Sequence, residues 1–598
     1  MRNSHLLIVL VLLLAPAAWS QTPSPASRDV ASDTWVATDG LGRSVPTEKE
    51  TGLPRRNKTV GIFYFLTFDH SQDALYDNTE ILKAHPEAAT DIHNPAWGPL
   101  NSTHYWGEPL FGYYASDDEW VLRKHAQMLS DAGVDVVIFD NSNTVTYDKA
   151  RNTLCRIWED VRRKGGRTPQ IAFLCPFSNG NNIGGSTLRE IYDTLYKPGL
   201  YNDLWFRWEG KPLVLADPSY ADTVPAEGPA LRSFFTFRTP IAPYNIKSPP
   251  PGQWAWLQIY PQAPQLSPTG TPEQISVGVA QNYNADVNRT APMSFPGAFG
   301  RAYHDGKLDT SPDAEAQGYN FQEQWNRALK IDPPFVFVTG WNEWTMGFYD
   351  NWAGFQGRPI FVDEYTAEFS RDIEPMTGGF GDDYYYQLVS NIRRYKGTRP
   401  IPPIVPRLIP WNGSFDGWQH IPPEFRDDIG DAVHRDADGT GKGLHYVNNS
   451  GRNDIVAAKV SYDAKNIYFY VRTDAKLTPY TDKDWMLLYL NTDGNCKTGW
   501  LGYDFVVNRQ VGAKTTSLEK NIGGKYAWKP VGEVKYEVSG SQLVVAIPRK
   551  LLGATVLKSI DFKWADHCFA KGDWTDFTLN GDAAPNDRFN YRAVMNRE

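Results

Sequence analysis

The stretch VFVTGWNEWTMG (336–347) sets one carboxylate, Glu343, between two indoles, Trp341 and Trp344, with the amide of Asn342 beside it. The apolar residues before it read as a buried strand that stops at Gly340. An apolar wall strips water from a carboxyl, penalises its anion and raises its pKa. A carboxyl that still holds its proton near neutral pH can donate it to the departing oxygen of a glycosidic bond. The bland alternative is a strand-end glutamate paired with an arginine, and two tryptophans that are simply core.

Other strand-like runs end in groups that suit the same work. The run at 60–68 leads to Asp69 and His70, the run at 134–139 to Asp140, Asn141 and Asn143, and the run at 170–176 to Ser178 and Asn179. Asp217, Tyr260 and the trio Gln281, Asn282 and Tyr283 close three more, and Glu108 lies in HYWGEPLFGYY. Carboxylates, amides and rings with little basic charge fit a neutral polyol, because amides satisfy hydroxyls and rings stack on the apolar face of a sugar. Glu343 and Asp140 are therefore the candidate catalytic carboxyls. Trp341, Asn342, Trp344, Asn141, Asp69, His70, Tyr283 and Glu108 are candidate sugar contacts, and Arg301 and His304 are loop residues that could lie over them. No CxxC, HExxH or paired-histidine spacing occurs, so catalytic zinc has no support and no cofactor is required for this chemistry.

Eight apolar runs must position these groups: 60–68, 134–139, 170–176, 211–217, 234–239, 254–260, 274–280 and 335–340. They lack the alternation of half-exposed antiparallel strands, and eight is the number a (β/α)8 TIM-type barrel requires. Helical spacing is clear after the second, third and seventh runs; between 240 and 275 proline is dense and that sector reads as irregular. Ser116 and Glu119 read as a capping box for a helix that Gly133 ends. No glycine-rich phosphate loop follows the first run, which argues against a doubly wound nucleotide fold.

At 598 residues the chain exceeds one ordinary core. Residues 1–20 read as a signal peptide: Arg2 precedes the apolar run Leu6–Leu14, and Ala18-Trp19-Ser20 is a cleavage-type ending, so a secreted or periplasmic protein is expected. Residues 21–57 read as a loose lead-in, 58–400 as the barrel, 401–410 (inside TRPIPPIVPRLIP) as a linker, and 411–598 as a β-sandwich of short alternating strands. A net charge of −9 without a basic stripe argues against nucleic acid, and no later stretch is long and apolar enough to span a membrane. Nothing in the sequence sets an oligomeric state. Four cysteines leave a Cys496–Cys568 bridge or free thiols open. The turns DADG (436–439) and NTDG (491–494) offer oxygen ligands for a structural Ca2+, or are plain turns.

GWNEW after the last run, GKPLVLAD at the fourth, and the Tyr- and Asp-rich end of the barrel region resemble glycoside hydrolase family 99 and, more distantly, family 71, over about residues 58–400. The resemblance implies a (β/α)8 barrel, endo action and retaining hydrolysis. Its Glu-Trp-x-Glu motif carries a first glutamate that assists attack by the sugar's own 2-hydroxyl and a second that is the acid/base. Glu343 matches the first, but Met346 stands at the second and cannot transfer a proton. Another carboxylate must then partner Glu343, with Asp140 first and Asp69 or Glu108 next, or hydrolysis has been lost. The segments NIYFYVRTD, LNTDGNCKTGW and WTDFTLNGDAAPNDRFNYR resemble family 9 carbohydrate-binding modules and DOMON-like domains, which implies sugar contacts by Trp485, Trp500 or Trp574. The expected function is a secreted glycoside hydrolase acting on a polysaccharide or complex glycan. The alternatives are a glycan-binding protein with a decayed barrel and, with few basic strand-end residues to support it, a polysaccharide lyase.

Overall fold

The computed structural model describes residues 28–178, 180–410, 413–553 and 557–595. The signal-peptide reading at 1–20 and Asn179 lie outside the described residues. Each of the eight apolar runs supplies a strand: β1 (Thr59–Tyr64), β2 (Val136–Asp140), β3 (Gln170–Leu174), β4 (Lys211–Leu215), β5 (Thr236–Ile241), β6 (Gln253–Ala255), β7 (Pro272–Gly278) and β8 (Phe335–Thr339). They pair in parallel, in sequence order, with β8 returning to β1, so the sheet is a nearly closed barrel.

Only the β6–β7 seam lacks ladder hydrogen bonds among these neighbours, and side-chain amides span it instead. Gln274 Nε2 donates to Ala255 O at 2.8 Å and Gln262 Nε2 to Ser276 O at 3.0 Å. Inside the ring, β1 carries Gly61 because a Cβ there would meet the Phe335 ring at 2.6 Å. Helices α1 (Glu119–Ala132), α2 (Asp148–Arg163), α3 (Ile183–Ile191) and α4 (Gly228–Phe234) follow β1 to β4, α5 (Tyr319–Ile331) follows β7 and α6 (Asp383–Lys396) follows β8. No helix separates β5 from β6 or β6 from β7, which is the proline-rich sector.

The C-terminal region forms a second, twelve-stranded sheet rather than two separately paired layers. It curls on itself: Phe469 and Phe562, from strands far apart in the pairing order, approach to 5.5 Å between ring centres. Two expectations are corrected here. Residues 28–57 are no loose lead-in, since Trp35 is buried against Phe589 at 5.6 Å and Val36 bridges Asn590. Within the expected linker, Pro403–Ile404 pairs in parallel with Tyr591–Met595. No helix among the described residues is long and apolar enough to cross a membrane.

Helix α1 starts differently from the capping-box reading. Asp118 is the cap, accepting from the Trp120 and Val121 amides, while the Ser116 hydroxyl accepts from Phe68 N. Asp118 also pairs with buried Arg435 at 2.8 Å, joining the barrel to the second sheet region, and Gly133 ends the helix in the left-handed conformation. Asp118→Ala should therefore cost about 3–5 kcal/mol, as loss of one partner from a buried pair does. Asp118→Asn, which keeps a capping acceptor, should cost less. Urea unfolding measures both, and a loss under about 1 kcal/mol for the alanine variant would contradict this assignment.

Candidate active site

Backbone pairing, not tryptophan walls, fixes Glu343. After β8 the chain runs against β1, with Trp341 N donating to Phe63 O at 2.9 Å. Asn342 closes the seam from its side chain, accepting from Phe65 N at 2.9 Å and donating to Phe65 O at 3.1 Å. Loop 363–374 then returns across the same end. Gly340 N donates to Arg371 O at 2.9 Å, and Ile373 N and Glu374 N donate to Trp341 O.

That loop delivers Arg371, fully buried, onto Glu343. Its Nη2 and Nε donate to Glu343 Oε2 at 2.7 and 3.1 Å, leaving Oε1 outside the pair. The same guanidinium lies 3.2 Å from Glu364 and 3.3 Å from Asp363, donates to Asn282 Oδ1 at 3.1 Å, and faces the Trp256 ring at 5.2 Å. Asp372 is also buried there, so close to Gly340 that a Cβ on the glycine would sit 2.9 Å from its Oδ1. The Arg371 guanidinium thus contacts three carboxyls, with Asp372 beside them and a second buried arginine, Arg301, donating to Asp372 O at 2.7 Å. Burial pushes Glu343 and Glu364 well above the ordinary carboxylate range, against the pull of Arg371. Burial likewise lifts Asp372 to about 6. Within the group Glu343 receives two N–H donors from the guanidinium, so burial and Arg371 pull its carboxyl in opposite directions, with burial the larger.

Asp140 ends β2 on this mouth. Burial is the largest influence on its carboxyl and pushes it up, while Asp363 and Arg371 are near enough to act on it in opposite directions. It accepts from Ser142 N at 2.9 Å and forms no ion pair among the described residues.

Several proposed sugar contacts are placed otherwise. Trp341 and Trp344 are fully buried: Trp341 packs edge-on against His125, and Trp344 stacks on Trp106 at 4.2 Å and donates to Glu374 at 2.6 Å. Neither has a face left for a sugar, nor does buried Asn342 have a free amide. Asn141 is buried and donates to Val145 O, and Tyr283 is buried with its hydroxyl on Asn288. Asp69 is exposed and folds back on Ser71, and His70 joins Asp117 to Gly439 O. Glu108 is exposed but its electrostatic neighbours are Asp77, Lys571 and Glu80, not Glu343. Trp500 is 5% exposed in an aromatic cluster with Tyr489, Tyr526 and Phe569, so it serves as core. Arg301 is buried between Phe380 and Tyr384, and His304 pairs with Asp305 and Asp309.

Met346 lies in a short antiparallel ladder opposite His104 and is buried. All four cysteines are free. In the two turns read as calcium loops, Asp436 and Asp438 pair with His445, and Asp493 accepts from Asn495 N and Thr498. Arg371, Asp363, Glu364 and Asp372 escaped the sequence reading. The acidic run DEYTAEFSRDIE (363–374), with a lone arginine and no helical spacing, was the available signal.

The fold and site define an α/β barrel-like protein with an acidic mouth. Two solved structures of the GH99 endo-alpha-mannosidase from Bacteroides thetaiotaomicron, one in complex with BIS-TRIS-Propane, are similar to this chain at 14% identity. Each match covers 56% of this chain and 97% of the other, with a TM-score of 0.30. No family model and no curated protein matches the chain.

Because Asp372 is lifted from 3.8 to about 6, the folded chain keeps a proton there that the unfolded chain releases. Its contribution to stability is complete below the unfolded pKa and is lost as pH rises through about 6. Asp372→Asn should therefore flatten the fall in stability across that window, by up to about 3 kcal/mol. Melting temperatures from pH 4 to pH 7 measure this, and superimposable wild-type and variant profiles would contradict it.

Proposed function

We propose that the chain is a glycoside hydrolase acting on a poly- or oligosaccharide at the barrel mouth, with Asp140 as proton donor and Glu343 as the partnering anion. The observation that carries the reading is the contrast between two carboxyls on one mouth. Asp140 is desolvated with no ion-pair partner, and Glu343 is held by a guanidinium. Burial lifts both carboxyls, but only Glu343 has a guanidinium to hold its charged form, and that difference divides the roles of acid and anion. In this reading the Asp140 proton passes to the leaving glycosidic oxygen as the C–O bond breaks. Glu343 Oε1, outside the guanidinium pair, accepts a hydroxyl hydrogen from sugar or water as the positive charge on the sugar ring develops. Where that hydrogen comes from a sugar hydroxyl, water then opens the anhydro ring, giving a proton to Asp140 while Glu343 returns its proton to the sugar oxygen. Where it comes from the attacking water, the hydroxyl stays on the sugar and the proton on Glu343 leaves to solvent as Asp140 regains one from solvent. The apolar run Leu6–Leu14 supports export of the chain as part of the same reading.

A second reading, glycan binding without turnover, is favoured by one observation. The position where the family carries its acid/base glutamate holds a buried methionine, and Arg371 ties up one oxygen of the remaining glutamate. Incubating the full chain with a panel of polysaccharides separates the two. New reducing ends support hydrolysis, while retention on a glycan without products supports the second reading. On a cleaved substrate, Glu343→Gln and Asp140→Asn should each lower turnover at least about a hundredfold, and a loss under about tenfold removes the role from that residue. The wild-type rate should fall as pH rises through the elevated Asp140 pKa, and that limb should vanish in Asp140→Asn.

A further inference from the structure

A second carboxylate cluster lies away from the mouth, where the curled sheet meets α1. Asp427 follows the strand Phe425–Arg426, Asp431 lies in the next turn, and Asp582 opens the strand Asp582–Ala584. Their carboxylate oxygens fall within 4.8 Å of one another. Asp427 is 1% exposed and neither of its oxygens has a hydrogen-bond partner. Asp431, also buried, has one partnered oxygen, which accepts from Gln127 Nε2 of α1 at 2.6 Å. Asp582 accepts from Ile455 N at 2.5 Å. Beside them Asp454 and Asp428 each keep an unpartnered oxygen.

No lysine or arginine among the described residues compensates this charge by contact. Among the described residues none forms an ion pair with Asp427, Asp431 or Asp582. Buried Lys563 acts on Asp427 and Asp582, and Arg28 on Asp427, only through space: Lys563 gives its ammonium to Pro585 O, Arg28 donates to Val456 O, and Arg452 pairs with Asp566. Lys124 acts on Asp582 only from a distance. Buried anions without a partner are costly, and buried charges are paired or coordinate metals. The ligand set is oxygen alone, from separate strands and a turn, which suits a hard cation with loose geometry.

We propose that Asp427, Asp431 and Asp582 bind one calcium ion, and that this ion, through Gln127 on Asp431, fastens the second sheet to the barrel. This site is distinct from the DADG and NTDG turns, whose carboxylates are already engaged.

The test uses the full chain stripped with chelator and then exposed to about 10 mM calcium, roughly ten times the dissociation constant of the weakest extracellular-type sites. Elemental analysis after desalting should find about one calcium per chain, and melting temperature should rise by about 3 °C or more. Asp427→Asn should lose both responses and, with repulsion relieved, melt no lower than the stripped wild type. Asp493→Asn, in the NTDG turn, should keep both. If Asp427→Asn does not fold, Asp431→Asn serves in its place, and native mass spectrometry of the stripped wild type reads calcium uptake without any variant. Stripped wild type that takes up no calcium and melts unchanged would overturn the proposal. So would an Asp427 or Asp431 variant that binds and responds like wild type.

Discussion

The Arg371 guanidinium contacts three carboxyls at the end of β8, with buried Asp372 and a second arginine, Arg301, alongside, and the arrangement of the mouth follows from that excess of acid. Two of its nitrogens bond one oxygen of Glu343, and Glu364 and Asp363 crowd the same group. A buried arrangement with more anions than cations persists only if protons remain on some members or if donors are aimed at the rest. Both devices operate here. Arg371 contributes its own backbone N–H to Glu364 at 2.9 Å, and Asp372 is lifted enough to keep a proton under mildly acidic conditions. Glu343 is thereby held as an ion-paired acid that still presents one oxygen outside the pair.

The loop that carries Arg371 also builds the layer beneath. Glu374 accepts from Trp344 at 2.6 Å and from the Tyr114 hydroxyl at 2.7 Å, and meets His125 Nε2 at 3.0 Å. With Nε2 donating to Glu374, His125 Nδ1 is left to accept from the Tyr64 hydroxyl at 2.7 Å. This chain joins β1, α1, the residues after β8 and the loop in one buried network. The two tryptophans that flank Glu343 belong to it. Their function is to lock the strand end against neighbouring rings, so the mouth is polarised by charge rather than by an indole wall.

Strand positions were legible where β1 to β4 and β8 are buried along nearly their whole length and so appear as apolar runs, while β5 and β7 carry polar residues among theirs. The helix-poor sector was legible too, since proline density forbids helix there. The cap of α1 was misread by two positions because Ser116 and Asp118 are both competent caps and only the turn geometry chooses between them. Arg371 was invisible for a different reason. It meets Glu343 through a loop with no periodicity, and only the closed seam between β8 and β1 brings the two together. The burial of Trp341, Trp344 and Trp500 was equally hidden, because an indole that packs in a core and one that stacks on a sugar are the same residue in a sequence. The acidic cluster around Asp427 joins segments 427–431 and 582, and no local pattern announces such a junction.

The most direct test of the mouth as the working surface is a crystal structure of the chain with an oligosaccharide that the purified protein retains. Sugar rings should lie across the end of the barrel, with a glycosidic oxygen within hydrogen-bond reach of Asp140 and a ring hydroxyl on Glu343 Oε1. Sugar bound only on the curled sheet, with Asp140 and Glu343 untouched, would contradict this placement.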